Sequence, residues 1–155
     1  MIQMRQVFSH QAHRLGMQMG SRLRAGDLME CAAAGMTGYE AITESLKLSA
    51  LAFGAFDGGF DGAPPLALWG VCAQTMLGDH GRLWFLTADG VERHKKLLLR
   101  ASRDFVQFAE SQYPRLEAIV HRDYDAATRW LRWLGFRLEP LPDLGGDFCR
   151  ARIGF

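Results

Sequence analysis

Apolar positions recur along this chain at two different periods, and the period identifies the element. Near the start, Ala12, Leu15 and Met19 fall at helical spacing behind Ser9, a residue suited to capping, and Gly20 can end the run. A second helix is predicted from about Ala25 to Ala34, with Asp27 and Glu30 on its polar side and Leu28, Cys31 and Ala32 on its apolar side. Thr37-Gly38-Tyr39-Glu40 fits a capping box, in which hydroxyl and carboxylate each take a free backbone N–H. The helix it opens carries Ala41, Ile42, Leu46, Leu48 and Ala52 at helical spacing. Residues 1–55 are therefore expected to be mainly helical. The stretch Phe56 to Pro65, rich in Gly, Asp and Pro, reads as a turn region.

Residues 66–155 alternate between the two periods. Leu66–Ala73 and Leu83–Leu86 read as strands, joined through Gly78-Asp79-His80-Gly81. Asp89-Gly90-Val91-Glu92 offers a second capping box, opening the longest helix, which runs to about Gln112 before Pro114. Its stripe is Leu98, Ala101, Phe105, Phe108 and Ala109. Leu116–Val120 is a strand, Ala126–Leu134 a short helix ended by Gly135, and Phe136–Leu138 a strand. After a turn at Pro142–Gly146, Phe148–Ile153 alternates as a half-exposed strand does. A long helix between strands implies a crossover and parallel pairing; the closely spaced tail strands suit antiparallel pairing. The expected fold class is a single α+β domain, a mixed sheet flanked by helices.

Composition narrows the function classes. The 155 residues suffice for one domain without staples. The 18 basic and 17 acidic residues give a net charge of +1, which lacks the basic excess of a general nucleic-acid binder. Apolar stretches fall short of the roughly 20 residues of a membrane span. Residues 1–30 carry polar and charged residues throughout and read as no secretory leader, so cytoplasmic synthesis is expected. Cys31, Cys72 and Cys149 are isolated, with no CxxC pair for zinc, and read as small buried apolar residues.

Several groups carry candidate chemistry. Arg93-His94-Lys95-Lys96 can hold a phosphate or serve as a solvated face. His121, Asp123, Tyr124 and Asp125 can form an acid–base or metal cluster, or Asp123 or Asp125 can cap the next helix. Trp130 and Trp133, three apart on one helix, suit core packing or a protein interface. His10 and His13 lack further ligands for zinc. Met1, Met4, Met17 and Met19 with Phe8 suit an adaptable contact surface or the core. No metal site is expected.

The segment Ala126-Ala127-Thr128-Arg129-Trp130-Leu131-Arg132-Trp133-Leu134-Gly135-Phe136 resembles the last conserved segment of the GNAT acetyltransferases, a short helix ending in Gly-Phe before a strand. From Leu83 to Phe136 the chain resembles a narrower group: the GNAT-like family of tailed phages that includes internal virion protein A of short-tailed phages. Trp84-Phe85-Leu86-Thr87-Ala88-Asp89, Tyr113-Pro114-Arg115-Leu116-Glu117 and the Arg129–Phe136 segment carry that likeness, and Asp57-Gly58 through Val71 fits it.

That resemblance implies a GNAT-like fold and, in the enzymes, a coenzyme A pyrophosphate held on backbone N–H groups of a (Gln/Arg)-x-x-Gly-x-(Gly/Ala) loop. The matching stretch, Thr87 to Lys96, has one glycine and accommodates no placement of the motif, while Asp89 and Glu92 add negative charge. The position that often holds a tyrosine acid is Leu131, and the one often asparagine is Tyr124. The leading expectation is a non-enzymatic phage protein on a degenerate acetyltransferase fold, without cofactor. It would be made in the host cytoplasm, packaged in the virion, and touch virion or host proteins through Trp130, Trp133, Arg93, Lys95 and Lys96. The alternative is an N-acyltransferase using acetyl-coenzyme A, with Leu86, Thr87 and Arg93 as cofactor contacts and Tyr124 as a candidate acid. A third reading is an inhibitor of a host defence protein.

Overall fold

A computed structural model describes residues 1–75, 78–142 and 146–155. Its strands are β1 (Ile2–Val7), β2 (Leu51–Asp57), β3 (Pro65–Ala73), β4 (His80–Thr87), β5 (Arg115–His121), β6 (Arg137–Pro140) and β7 (Phe148–Ile153). Its helices are α1 (Ala12–Met19), α2 (Ala25–Ala33), α3 (Gly38–Leu48), α4 (Lys95–Gln112) and α5 (Asp125–Trp133). The strands form a seven-stranded mixed sheet in the order β1-β2-β3-β4-β5-β7-β6, and the class is α+β as expected. The chain groups into two compact units, residues 1–72 with 84–95 and residues 73–83 with 96–155.

In the first unit, β1 and β3 pair antiparallel on either side of β2, and the β2–β3 register shifts between Ala55 and Phe56. Leu15, Met19, Leu23, Ile42 and Leu46 pack with Ala52, Phe56, Leu68 and Ala88 into one core. The α1 and α3 backbones approach closely because two glycines meet there. A Cβ on Gly38 would overlap the Gly20 carbonyl, and one on Gly20 would crowd the Tyr39 amide. Thr37 and Glu40 form the expected capping box, each side chain 3.1 Å from the other's backbone nitrogen.

In the second unit, α4 carries the chain over so that β5 pairs parallel with the start of β4, from His80↔Arg115 to Arg82↔Glu117. On its other side β5 pairs antiparallel with β7, and β6 pairs antiparallel with β7 at the margin. Phe105, Val106 and Ala109 of α4, Leu116, Ala118 and Val120 of β5, and Leu131, Phe136 and Ala151 are buried. Both pairing directions follow the sequence reading.

Several expectations need correction. Residues 1–55 also hold β1 and most of β2, which the helical reading passed over. The third helix ends at Leu48; Ser49 is extended, its hydroxyl donating to the Ser45 carbonyl at 2.6 Å, so Ala52 belongs to a strand. Ser9 lies inside a 3-10 turn, with Phe8 at the cap position. In α2 Asp27 is buried while Leu28 and Ala32 are exposed, the reverse of the predicted faces for these three residues. Asp89 to Glu92 makes no capping box; Gly90 takes φ 93° and leads into a 3-10 turn. Phe108 is exposed. The turn expected at Pro142–Gly146 falls at residues 143–145 outside the described residues.

Candidate functional site

The sequence resemblance implies phosphate binding in the segment leaving β4, and here six of the backbone amides from Thr87 to Lys95 are already engaged. The Asp27 carboxylate reaches across from the first turn of α2. One of its oxygens accepts from the Thr87 amide at 2.8 Å and the Thr87 hydroxyl at 2.5 Å. The Thr87 carbonyl accepts from the Arg24 amide, Ala88 N donates to Leu66 O, and Asp89 N donates to Arg22 O, at 2.8–2.9 Å. Val91 N and Arg93 N close the following turn on Ala88 O and Gly90 O, and Lys95 N donates to Glu92 O. Leu86 is half-buried against the core of the unit.

Six amides between Thr87 and Lys95 therefore have protein acceptors. An anion arriving there would have to displace a carbonyl or the Asp27 carboxylate to use one of them. Glu92 is held 3.1 Å from the Arg24 guanidinium, which offsets its charge, and Asp89 is exposed. Beside them Arg93, Lys95 and Lys96 are exposed cations.

The loop after β5 holds the second predicted group. His121 is buried, its Nδ1 accepting from the Asp123 amide at 3.1 Å and its ring edge resting on Phe148. Tyr124 is buried at the cap position of α5, its amide bonded to the His121 carbonyl. Asp123 and Asp125 are exposed, and neither side chain caps α5. The geometry is that of a tight turn into a helix. Among the described residues no group of three His, Cys, Asp or Glu can hold a metal.

Downstream, Gly135 takes φ 103° and Phe136 turns inward, its amide closing on the Leu131 carbonyl. Leu131 is buried and has no proton to give. The two tryptophans divide. Trp130 donates from Nε1 to the Ser102 hydroxyl at 3.1 Å, tying α5 to α4, while Trp133 is 47% exposed under the Arg103 guanidinium. In the first unit, His13 Nδ1 lies 2.8 Å from the Tyr39 hydroxyl and His10 stacks on Phe8. Met1, Met4, Met17 and Phe8 are exposed, whereas Met19 is core. Cys31 is buried, and burial first, then the charges of Asp27 and Glu30, push its thiol up to about 11. Cys72 and Cys149 are only half-buried, unlike the fully buried reading.

One cluster escaped the sequence reading. Glu117, 3% exposed in mid-β5, is ringed by cations from neighbouring strands. Arg82 of β4 donates to it at 2.9 and 3.3 Å, and His80 lies at 3.6 Å. Arg150 and Arg152 of β7 approach through Nε at 3.5 and 3.9 Å. Two signals were available: a lone acid inside the apolar run Leu116–Val120, and Arg150 and Arg152 two apart in an alternating strand.

No family model and no curated protein matches the sequence. Solved structures do match the fold. The GNAT domain of S. lividans PAT aligns over 98% of this chain and 89% of its own, with TM-score 0.66 and 11% identity. The ribosomal-protein-S18-alanine N-acetyltransferase from Escherichia coli aligns over 99% of this chain and 92% of its own, with TM-score 0.65 and 14% identity. Aminoglycoside acetyltransferase AAC(6')-Ib, solved with coenzyme A, aligns over 97% and 94%, with TM-score 0.59 and 16% identity. From end to end, this chain has the fold of the GNAT acetyltransferases.

Proposed function

We propose that this chain uses the acetyltransferase fold as a binding scaffold and does not transfer acyl groups. The observation that carries the reading is the engaged backbone between Thr87 and Lys95, above all the Asp27 carboxylate on the Thr87 amide. Acetyltransferases of this fold gain cofactor affinity from free amides at a helix start. Here the amides of Thr87, Ala88, Asp89, Val91, Arg93 and Lys95 serve the fold instead, and Leu131 supplies no acid for a departing thiolate. The work then falls to surface groups, with Trp133 and its covering Arg103 as one contact and Arg93, Lys95 and Lys96 as another. A role among phage virion proteins, in assembly or infection, follows from the sequence resemblance alone.

The comparisons favour a second reading over the virion role: an N-acyltransferase using acetyl-coenzyme A. Its supporting observation is the near full-length likeness to acetyltransferases, one of them solved with coenzyme A. In that reading the exposed cations Arg93, Lys95 and Lys96 hold the pyrophosphate in place of the amides, and Tyr124 is the acid to test. Calorimetric titration with acetyl-coenzyme A separates the two. Saturable binding at micromolar ligand, lost in Arg93→Ala, overturns the engaged-backbone argument and moves the second reading to the front. No heat at millimolar ligand leaves the scaffold reading standing.

A further inference from the structure

We infer that the polar sheet face formed by β4, β5, β7 and β6 in the second unit binds a phosphate group. None of its residues lies in the segment 87–95, so the inference stands apart from the question of acyl transfer.

The argument begins with charge. Arg82, Arg150 and Arg152 converge on the single buried carboxylate of Glu117, and His80 joins them. Strand register causes this convergence: Glu117 stands opposite Arg82 on one side and Arg152 on the other. The second carboxylate nearby, Glu139, is half-exposed and lies 3.8 Å from Arg152 Nη1. Three guanidinium groups thus face two carboxylates, and one of those is at the margin. Repulsion among the guanidinium groups is only partly offset.

Hydrogen bonding points the same way. Glu117 accepts from Arg82 within hydrogen-bond range. Arg150 Nε, Arg152 Nε and His80 Nε2 are shielded from solvent and lack a hydrogen-bond partner among the described residues. These atoms lie 3.5–3.9 Å from Glu117 without hydrogen-bonding to it, so that one carboxylate compensates the cations around it only in part. Both β7 arginines approach Glu117 through Nε, and their side chains remain 35% and 26% exposed. Guanidinium forks match phosphate oxygens in pairs. Phe155 fixes part of the wall, its ring 4.3 Å beneath the Arg152 guanidinium and edge-on to His80. A phosphate dianion suits the excess of positive charge better than a monocarboxylate.

The test is calorimetric titration of the full chain with inorganic phosphate, at ionic strength held constant with chloride. Saturable binding is expected, weakened about tenfold or more by Arg150→Gln, as for loss of a charge-assisted fork. Arg152→Gln gives a second chance if the first variant misfolds by circular dichroism. Lys47→Gln, at an exposed cation of the first unit, should leave the affinity unchanged. Binding that does not saturate, binding that follows Lys47, or acetate binding as tightly as phosphate would each overturn the inference.

Discussion

Asp27 offers the sharpest test of how the first unit is held. Its carboxylate is buried, and a single oxygen accepts from both the amide and the hydroxyl of Thr87. Truncation to Ala strips both donors of their acceptor. The amide is fixed in the backbone and stays covered, and losing a charge-assisted bond there costs about 2 kcal/mol. The hydroxyl can rotate toward water because Thr87 is half-buried, so its share is about 1 kcal/mol. Asp27→Ala should therefore lower stability by about 3 kcal/mol. Asp27→Asn keeps a carbonyl acceptor without the charge and should lose about half as much. Urea unfolding at pH 7, followed by tryptophan fluorescence, reads the difference as a shift in midpoint at constant slope. In heat the Ala variant should melt about 6–12 °C lower. An Asp27→Ala protein within about 0.5 kcal/mol of the parent would refute the reasoning. So would an Asn variant as unstable as the Ala one.

Two further outcomes are expected. Gly38→Ala places a methyl against the Gly20 carbonyl at the α1–α3 crossing, where backbone cannot yield cheaply. It should cost about 3 kcal/mol or prevent folding, whereas Gly35→Ala, with open space but φ 74°, should cost only about 1 kcal/mol in the same urea assay. Cys31 gives a pH dependence with a definite sign. Its thiol ionises near 9.0 in the unfolded chain and about 11 when folded, so the unfolded state loses its proton first. Stability should be unaffected below that window and fall between about pH 9 and 11, with the slope reduced in Cys31→Ala. Urea midpoints at pH 8 and pH 10 check it.

Much of this architecture could be read from local chemistry. Thr37 and Glu40 announced α3 because a capping box is a contact between near neighbours. Gly135 and Phe136 announced the end of α5 for the same reason. The misses came where the deciding contact is distant. β2 follows α3 without a Pro or Gly break, and its burial on both faces erases alternation, so its apolar residues blended into the helical pattern. β1 is an edge strand with a mostly polar surface, which leaves little periodicity to detect. Asp27 looked like a solvent-facing acid because its partner lies sixty residues on, at Thr87. Glu117 is the same case: its cations come from β4 and β7.

The path of the backbone has a consequence for anyone who would divide this molecule. The chain enters the second unit at residue 73, returns at 84 and leaves again at 96, so the first unit is discontinuous in sequence. β4 itself is shared, with His80–Leu83 in one unit and Trp84–Thr87 in the other. A fragment ending at residue 72 would carry Asp27 without Thr87 and the core of the first unit without Trp84, Leu86 and Ala88. No single cut yields either unit intact, because each is built from two separate stretches of the chain.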